Sequence, residues 1–168
     1  MKVFWSILIG FTLTACAVSY SFQGGTVSGE TFAVKTFNLG NRLTLVNPNL
    51  PIVLQEALQQ KFINESNLKF TDAKADVNFD GTIVKYTITP VQGTGDQTVN
   101  LNRLTISIEV LYTNEVDKTI PTEGKVISVS SYDDFASTDD FSTKEAELVE
   151  SISEKLVSLV YNEVLVNW

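Results

Sequence analysis

The clearest pattern in the chain is the alternation at residues 103–112, where Leu104, Ile106, Ile108, Val110 and Tyr112 interleave with Arg103, Thr105, Ser107 and Glu109. A period of two sends successive side chains to opposite faces, so this segment predicts a strand with one buried and one wet face. Residues 77–91 read as a longer strand. Val77, Phe79 and Ile83 share one parity and Val84, Tyr86 and Ile88 the other, which predicts a bulge or twist near Ile83. Pro90 ends that run or marks an edge, and Gly93-Thr94-Gly95-Asp96 forms a loop. Asn114-Glu115-Val116-Asp117-Lys118 and Pro121 make the next connection. Residues 125–132, with Ile127 and Val129 on one face, complete an antiparallel meander.

Two segments carry a helical period instead. Asn47-Pro48-Asn49-Leu50-Pro51 is a start signal, with Asn49 able to cap and Pro51 tolerated in the first turn, where its missing N–H costs nothing. Leu54, Leu58 and Phe62 then recur every four residues to about Asn64, with Val53 and Ala57 beside them. The second helix begins at Ser142, with Glu145 three residues on as a capping box. Its stripe is Leu148, Val149, Ile152, Leu156, Leu159 and Val160. Before both helices, the β-branched and aromatic residues of 31–37 predict a first strand, broken by Asn38-Leu39-Gly40-Asn41. The order β-α-β-β-β-α implies an α+β fold, a two-layer sandwich with a mostly antiparallel four-stranded sheet and both helices packed on one face.

The N-terminus follows a different logic. Met1 and Lys2 open a short positive start, residues 3–12 are almost wholly apolar, and Leu13-Thr14-Ala15-Cys16 closes the stretch. It is too short for the roughly 20 residues of a spanning helix and has the layout of a signal peptide. Leu13, Thr14 and Ala15 before Cys16 resemble the lipobox of bacterial lipoproteins, in which the Cys receives diacylglycerol. The Cys count agrees: Cys16 is the only cysteine, and lipidation leaves no stray thiol in an oxidising compartment. The expected organisation is a signal peptide at 1–15, a lipidated tether at 16–30, dominated by Gly and Ser/Thr from Gln23 to Glu30, and one domain at 31–168. In the lipoproteins this leader resembles, an Asp beside the Cys can retain the protein in the inner membrane, and an early acidic cluster can send it to the cell surface. Neither is present, so the expected location is the periplasmic face of an outer membrane. Tyr20 and Phe22 could touch that membrane, a partner or the domain itself.

Composition narrows the chemistry. The formal charge is −8, and without Lys2 eleven basic residues face twenty acidic ones, giving −9. With no basic run, the chain does not suit a nucleic-acid backbone. The absence of His and the single Cys remove Ser/His/Asp triads, Cys/His pairs and the ordinary zinc sets. Asp76-Val77-Asn78-Phe79-Asp80-Gly81 matches the first half of an EF-hand loop, but Thr87 stands where the bidentate Glu belongs and a strand follows instead of a helix. Asp133-Asp134 and Asp139-Asp140 read as a solvated loop before a helix N-terminus, where negative charge is favourable. Nothing in the spacing of Lys85, Lys125 or Lys155 pairs one of them with a nucleophilic Ser. No catalytic residue, metal site or cofactor is expected, and the chain does not read as an enzyme.

The lipobox, Tyr20-Ser21-Phe22-Gln23-Gly24-Gly25, Asn47-Pro48, Leu54-Gln55-Glu56-Ala57-Leu58, Phe79-Asp80-Gly81-Thr82-Ile83, Thr89-Pro90-Val91, Asn102-Arg103-Leu104-Thr105-Ile106 and Asn167-Trp168 together resemble the LptE family of lipopolysaccharide-assembly lipoproteins, in its Bacteroidota branch. The resemblance implies a two-layer α+β lipoprotein inside the lumen of a large outer-membrane β-barrel, LptD. There it acts as plug and assembly partner and helps deliver lipopolysaccharide to the outer leaflet. Only Cys16 carries over residue by residue. The basic positions through which some members are thought to hold lipopolysaccharide have no matched counterpart here, and the residues that would touch the barrel stay open. A periplasmic adaptor lipoprotein of another envelope machine, such as one activating a cell-wall synthase, is the alternative that fits the same leader and domain.

Overall fold

The computed structural model describes residues 26–41, 43, 46–92 and 100–165. The leader with Leu13, Thr14, Ala15 and Cys16, together with Tyr20, Phe22, the loop Gly93-Thr94-Gly95-Asp96 and Asn167-Trp168, lies outside them. The elements run β1 (Thr31–Val34), β2 (Asn38–Leu39), α1 (Leu50–Glu65), β3 (Lys69–Phe70), β4 (Val77–Gln92), β5 (Asn100–Asn114), β6 (Lys125–Ala136) and α2 (Phe141–Leu165).

The fold is α+β, as the periodicities imply, with a richer sheet than expected. Six strands are present, in the order β3-β1-β4-β5-β6 with β2 also paired to β4. β4, β5 and β6 form the antiparallel meander, while β1, β2 and β3 add parallel pairings. The parallel part follows from connectivity: α1 carries the chain back across the sheet, so β4 must run beside β1 in the same direction. The break expected at Asn38 is a two-residue strand, since Asn38 and Leu39 pair with Thr82 and Ile83.

In the meander the register shifts between Ile83 and Lys85, so Val84 is the extra residue of the expected bulge. The shift sets Tyr86 opposite Ile106 and Ile88 opposite Leu104, which is why the apolar parity changes there. Pro90 pairs with Asn102 in the outer part of β4, beyond the stretch that β1 and β2 cover, so its missing N–H leaves no described ladder bond unmade. β6 runs on to Ala136, four residues past the expected end, because Asp133 and Asp134 pair with Leu104 and Arg103 of β5.

Both helix starts use a different residue from the one the sequence suggests. Asn49 is already in the right-handed helical region and its side chain caps nothing; Asn47 Oδ1 accepts from the Asn49 N–H at 2.9 Å. At α2 the capping box of Ser142 and Glu145 does not form. Asp140 takes the role, with Oδ1 accepting the Ser142 N–H at 3.1 Å and Oδ2 accepting the Ser142 hydroxyl at 2.9 Å. Glu145 instead accepts a 2.5 Å hydrogen bond from the Tyr86 hydroxyl, tying α2 to β4.

One face of the sheet and the inner stripes of both helices make the core. Leu54, Leu58 and Phe62 of α1 are fully buried, as are Ile152, Leu156 and Val160 of α2. Leu159 lies on the outer side of α2, 41% exposed, and Val157, Tyr161 and Val164 complete the buried stripe. Phe62 is the aromatic hub. Its ring centroid lies 5.7 Å from Phe32 of β1, 4.6 Å from Phe79 of β4 and 5.1 Å from Tyr161 of α2. The Tyr161 hydroxyl donates to the Glu65 carbonyl, closing the contact between the two helices.

The packed part begins before Thr31. Val27 is buried, with Asn67 Oδ1 accepting from its N–H at 3.0 Å. Asp76 Oδ2 accepts from the backbone N–H groups of Glu30 and Thr31 at 2.9 and 3.1 Å and from the Thr31 hydroxyl at 3.2 Å. Those bonds, led by the two backbone donors, hold the Asp76 carboxyl below its ordinary range.

Two outcomes follow from this packing. Phe62→Ala removes the ring that joins both helices to the sheet and should cost about 3–5 kcal/mol in denaturant unfolding; a loss under about 1 kcal/mol would contradict the hub. Because folding depresses the Asp76 carboxyl, its contribution is present above the unfolded value of about 3.9 and disappears as pH falls through the folded value. Asp76→Asn should therefore lower the melting temperature at neutral pH, and the gap to the parent should close on acidification below roughly pH 4. A gap that does not change with pH would rule that out.

Candidate interaction surfaces

The helices cover one face of the sheet and leave the other to solvent. Along the meander that open face carries Thr82, Thr87, Thr105, Ser107, Ser128, Ser130 and Tyr132, with Lys85, Arg103, Glu109 and Asp134 among them and Asp80 and the exposed pair Leu111 and Val126 toward one end. Hydroxyl groups are thus its main chemistry. Ser107 and Ser130, a cross-strand pair, lie with Oγ atoms 2.8 Å apart. The Thr87 hydroxyl is buried and makes no hydrogen bond within the described residues.

One rigid feature stands on this face. Arg103 Nε and Nη2 donate to the two carboxylate oxygens of Asp134 at 2.7 and 2.8 Å, and the guanidinium carbon sits 3.7 Å from the centroid of the Tyr132 ring. A bidentate fork stacked on an aromatic ring has one preferred geometry, so the three side chains are preorganised. The bond from Arg103 is the main reason the Asp134 carboxyl is held low, and the same bond raises the Arg103 guanidinium. On the helix side of the sheet, Lys155 of α2 donates to the neighbouring Asp133 at 2.5 Å.

A second concavity lies on the far side of the domain, between α1 and α2. It has a volume of about 750 Å³, with Val53, Ala57, Ala146 and Val157 among its lining and Glu56, Gln60, Glu150 and Glu154 around them. A smaller one, of about 490 Å³, sits at the β5–β6 connection. There Asn114 is structural: Oδ1 accepts from the Val116 and Asp117 N–H groups at 2.9 Å, and Nδ2 donates to the Ser28 carbonyl at 2.8 Å.

The acidic motifs have ordinary partners. Asp80 pairs with Lys35 at 2.7 Å, Asp76 is held by backbone donors, and Asn78 Nδ2 donates to the Ala75 carbonyl. Asp133 and Asp134 stand on a strand instead of in the expected loop, whereas Asp140 caps a helix, as negative charge at that end favours. Among the described residues no group of three Asp, Glu, Cys or His side chains could hold a metal, and no helix is long and apolar enough to cross a membrane.

Alternation in the sequence marks Arg103, Thr105, Ser107 and Glu109 as a wet face, but gives no sign that Asp134 and Tyr132 meet Arg103. That meeting depends on the register of β6. The groove is invisible in the sequence because Glu56 and Glu150 lie ninety-four residues apart on separate helices.

Comparisons with known proteins agree with this architecture. A hypothetical protein of Chlamydia trachomatis superposes with a TM-score of 0.55 at 9% identity, covering 83% of this chain and 100% of that one. A protein of Xanthomonas campestris gives 0.52 at 11% identity, covering 83% and 85%. A minor lipoprotein of Acinetobacter baumannii gives 0.47 at 12%, covering 84% and 96%. At such identities the first two superpositions show a likeness of fold alone. No curated protein matches the sequence. The model of the LptE family, described as lipopolysaccharide-assembly, matches residues 29–164, from the segment pinned by Asp76 to the end of α2. The chain belongs to the LptE family of lipopolysaccharide-assembly proteins.

Proposed function

We propose that this chain is the lipid-anchored subunit of an outer-membrane lipopolysaccharide translocon, seated in the lumen of a large LptD-like β-barrel that it plugs and helps to assemble, with its open sheet face toward the barrel wall and its helix layer toward the periplasmic opening. The observation that carries the reading is the family match across nearly all of the described domain. The open sheet face supplies a physical reason. The inside of a large barrel is polar and wet, so a partner seated there should bury hydrogen-bonding groups more than apolar ones. A face rich in Thr and Ser hydroxyls, with its Arg103 charge already satisfied by Asp134, suits a polar wall, which would also have to meet the charges of Lys85 and Glu109.

Diacylglycerol on Cys16 would hold the domain at the bilayer beside the barrel. Each buried methylene contributes about 0.8 kcal/mol, so several acyl chains together anchor a water-soluble domain. Lipopolysaccharide delivery would then belong to the complex. The charge of the chain, −8, gives no broad surface for an anionic lipid, and direct contact with lipopolysaccharide is not part of the proposal.

The test is a pull-down of the full-length chain from detergent-solubilised outer membranes, with the co-purifying proteins identified by mass spectrometry. A single large β-barrel at near-equal amount is the expected result. Ser107→Arg with Ser130→Arg, which places two bulky cations at the centre of the open face, should reduce that recovery by roughly tenfold. The two Arg side chains face each other across the strands and cost some stability, so the variant's melting temperature is recorded and its recovery is compared where it remains folded. Recovery of cell-wall enzymes, or of no partner, would overturn the translocon role.

A further inference from the structure

The groove between the helices has a chemistry the sheet face lacks. Its lining includes the small residues Ala57 and Ala146, together with Val53 and Val157. Small side chains let a third backbone approach closely, and two neighbouring helices leave a furrow of the shape a helix fills. From Val53 to Glu65 the furrow follows α1 for about 18 Å, or about three turns.

The charges around it are one-sided. Glu56, Glu150 and Glu154 surround the apolar residues, and none of them forms an ion pair with a described residue. The lining cation, Lys61, is taken up by Glu65 at 2.7 Å and lies 5.4 Å from the Tyr161 ring centroid. Elsewhere the cations are largely committed: Lys35, Lys74, Arg103, Lys125, Lys144 and Lys155 all hold carboxylates.

We propose that this groove is the docking site of a basic amphipathic helix about three turns long, contributed by another protein. The helix would lay an apolar stripe on Val53, Ala57 and Ala146, with the buried Val157 beneath them, and set Lys or Arg side chains against Glu56, Glu150 and Glu154. A second copy of this chain does not fit, because it would bring a like-charged furrow and no basic run. The proposal does not depend on the barrel, since the groove lies on the helix layer and the barrel reading uses the opposite face.

The test uses the full-length chain in zwitterionic lipid nanodiscs, with two three-turn model helices as probes. Both carry an Ala/Leu stripe, one flanked by Lys and the other by Glu. Binding is read by fluorescence anisotropy at low salt against empty nanodiscs. The Lys helix should bind the parent protein and the Glu helix should not. Glu150→Lys with Glu154→Lys should weaken the Lys helix by roughly tenfold and gain affinity for the Glu helix, an inversion that a misfolded variant would not show. Ala57→Trp fills the floor with the charges intact and should also abolish binding, with its melting temperature recorded as a check of folding. The proposal is overturned if the Lys helix fails to bind the parent, binds the reversed variant equally well, or still binds folded Ala57→Trp.

Discussion

The domain is organised around the ring of Phe62. Two helices that share one side of a sheet must be held at a common depth, and here one side chain touches β1, β4 and α2 while belonging to α1. The adjacent Tyr161 to Glu65 hydrogen bond fixes the helices to each other at the same level. Both surfaces discussed above follow from this. With the helices locked on one face, the opposite sheet face stays uncovered, and the spacing of the helices leaves the furrow between them.

The two faces use charge in opposite ways. On the sheet face the prominent cation is neutralised in place, with Arg103 clamped by Asp134 and stacked on Tyr132. What remains to meet a partner is chiefly hydroxyls, suited to hydrogen bonding across a wet interface, with Lys85, Glu109 and the exposed Leu111 and Val126 beside them. On the helix face Glu56, Glu150 and Glu154 surround apolar lining residues with no cation paired to them among the described residues, the lining Lys61 being taken up by Glu65. A hydroxyl-rich surface with charges of both signs and an acidic amphipathic one on opposite sides of a small domain suit a subunit placed between two unlike neighbours.

Much of this was legible in the sequence. The alternation of Leu104, Ile106, Ile108, Val110 and Tyr112 fixed the direction of the buried face, and the four-residue spacing of Leu54, Leu58 and Phe62 fixed the inner side of α1. The bulge was readable as a change of parity around Ile83. Long-range pairing was not. The two-residue strands carry no periodicity, so β2 and β3 are visible only through their partners, and the parallel pairing of β1 with β4 depends on where α1 returns the chain. Caps also escaped the sequence reading, because Asn47 and Asp140 compete with Asn49 and Ser142 over a few residues of equal capping chemistry. The meeting of Arg103 with Asp134 and the convergence of Glu56 with Glu150 are products of register and helix packing that no local pattern records.

The account stands on the orientation of the domain in the envelope, with the hydroxyl-rich sheet face against the barrel and the helix layer turned away from it. Site-specific photo-crosslinking in intact cells reads that orientation directly, with a photoreactive residue at Thr105 on the sheet face or at Gln60 on the helix layer. The account predicts a large β-barrel adduct from Thr105 and none from Gln60. A barrel adduct from Gln60, or a barrel adduct from neither position, would contradict it.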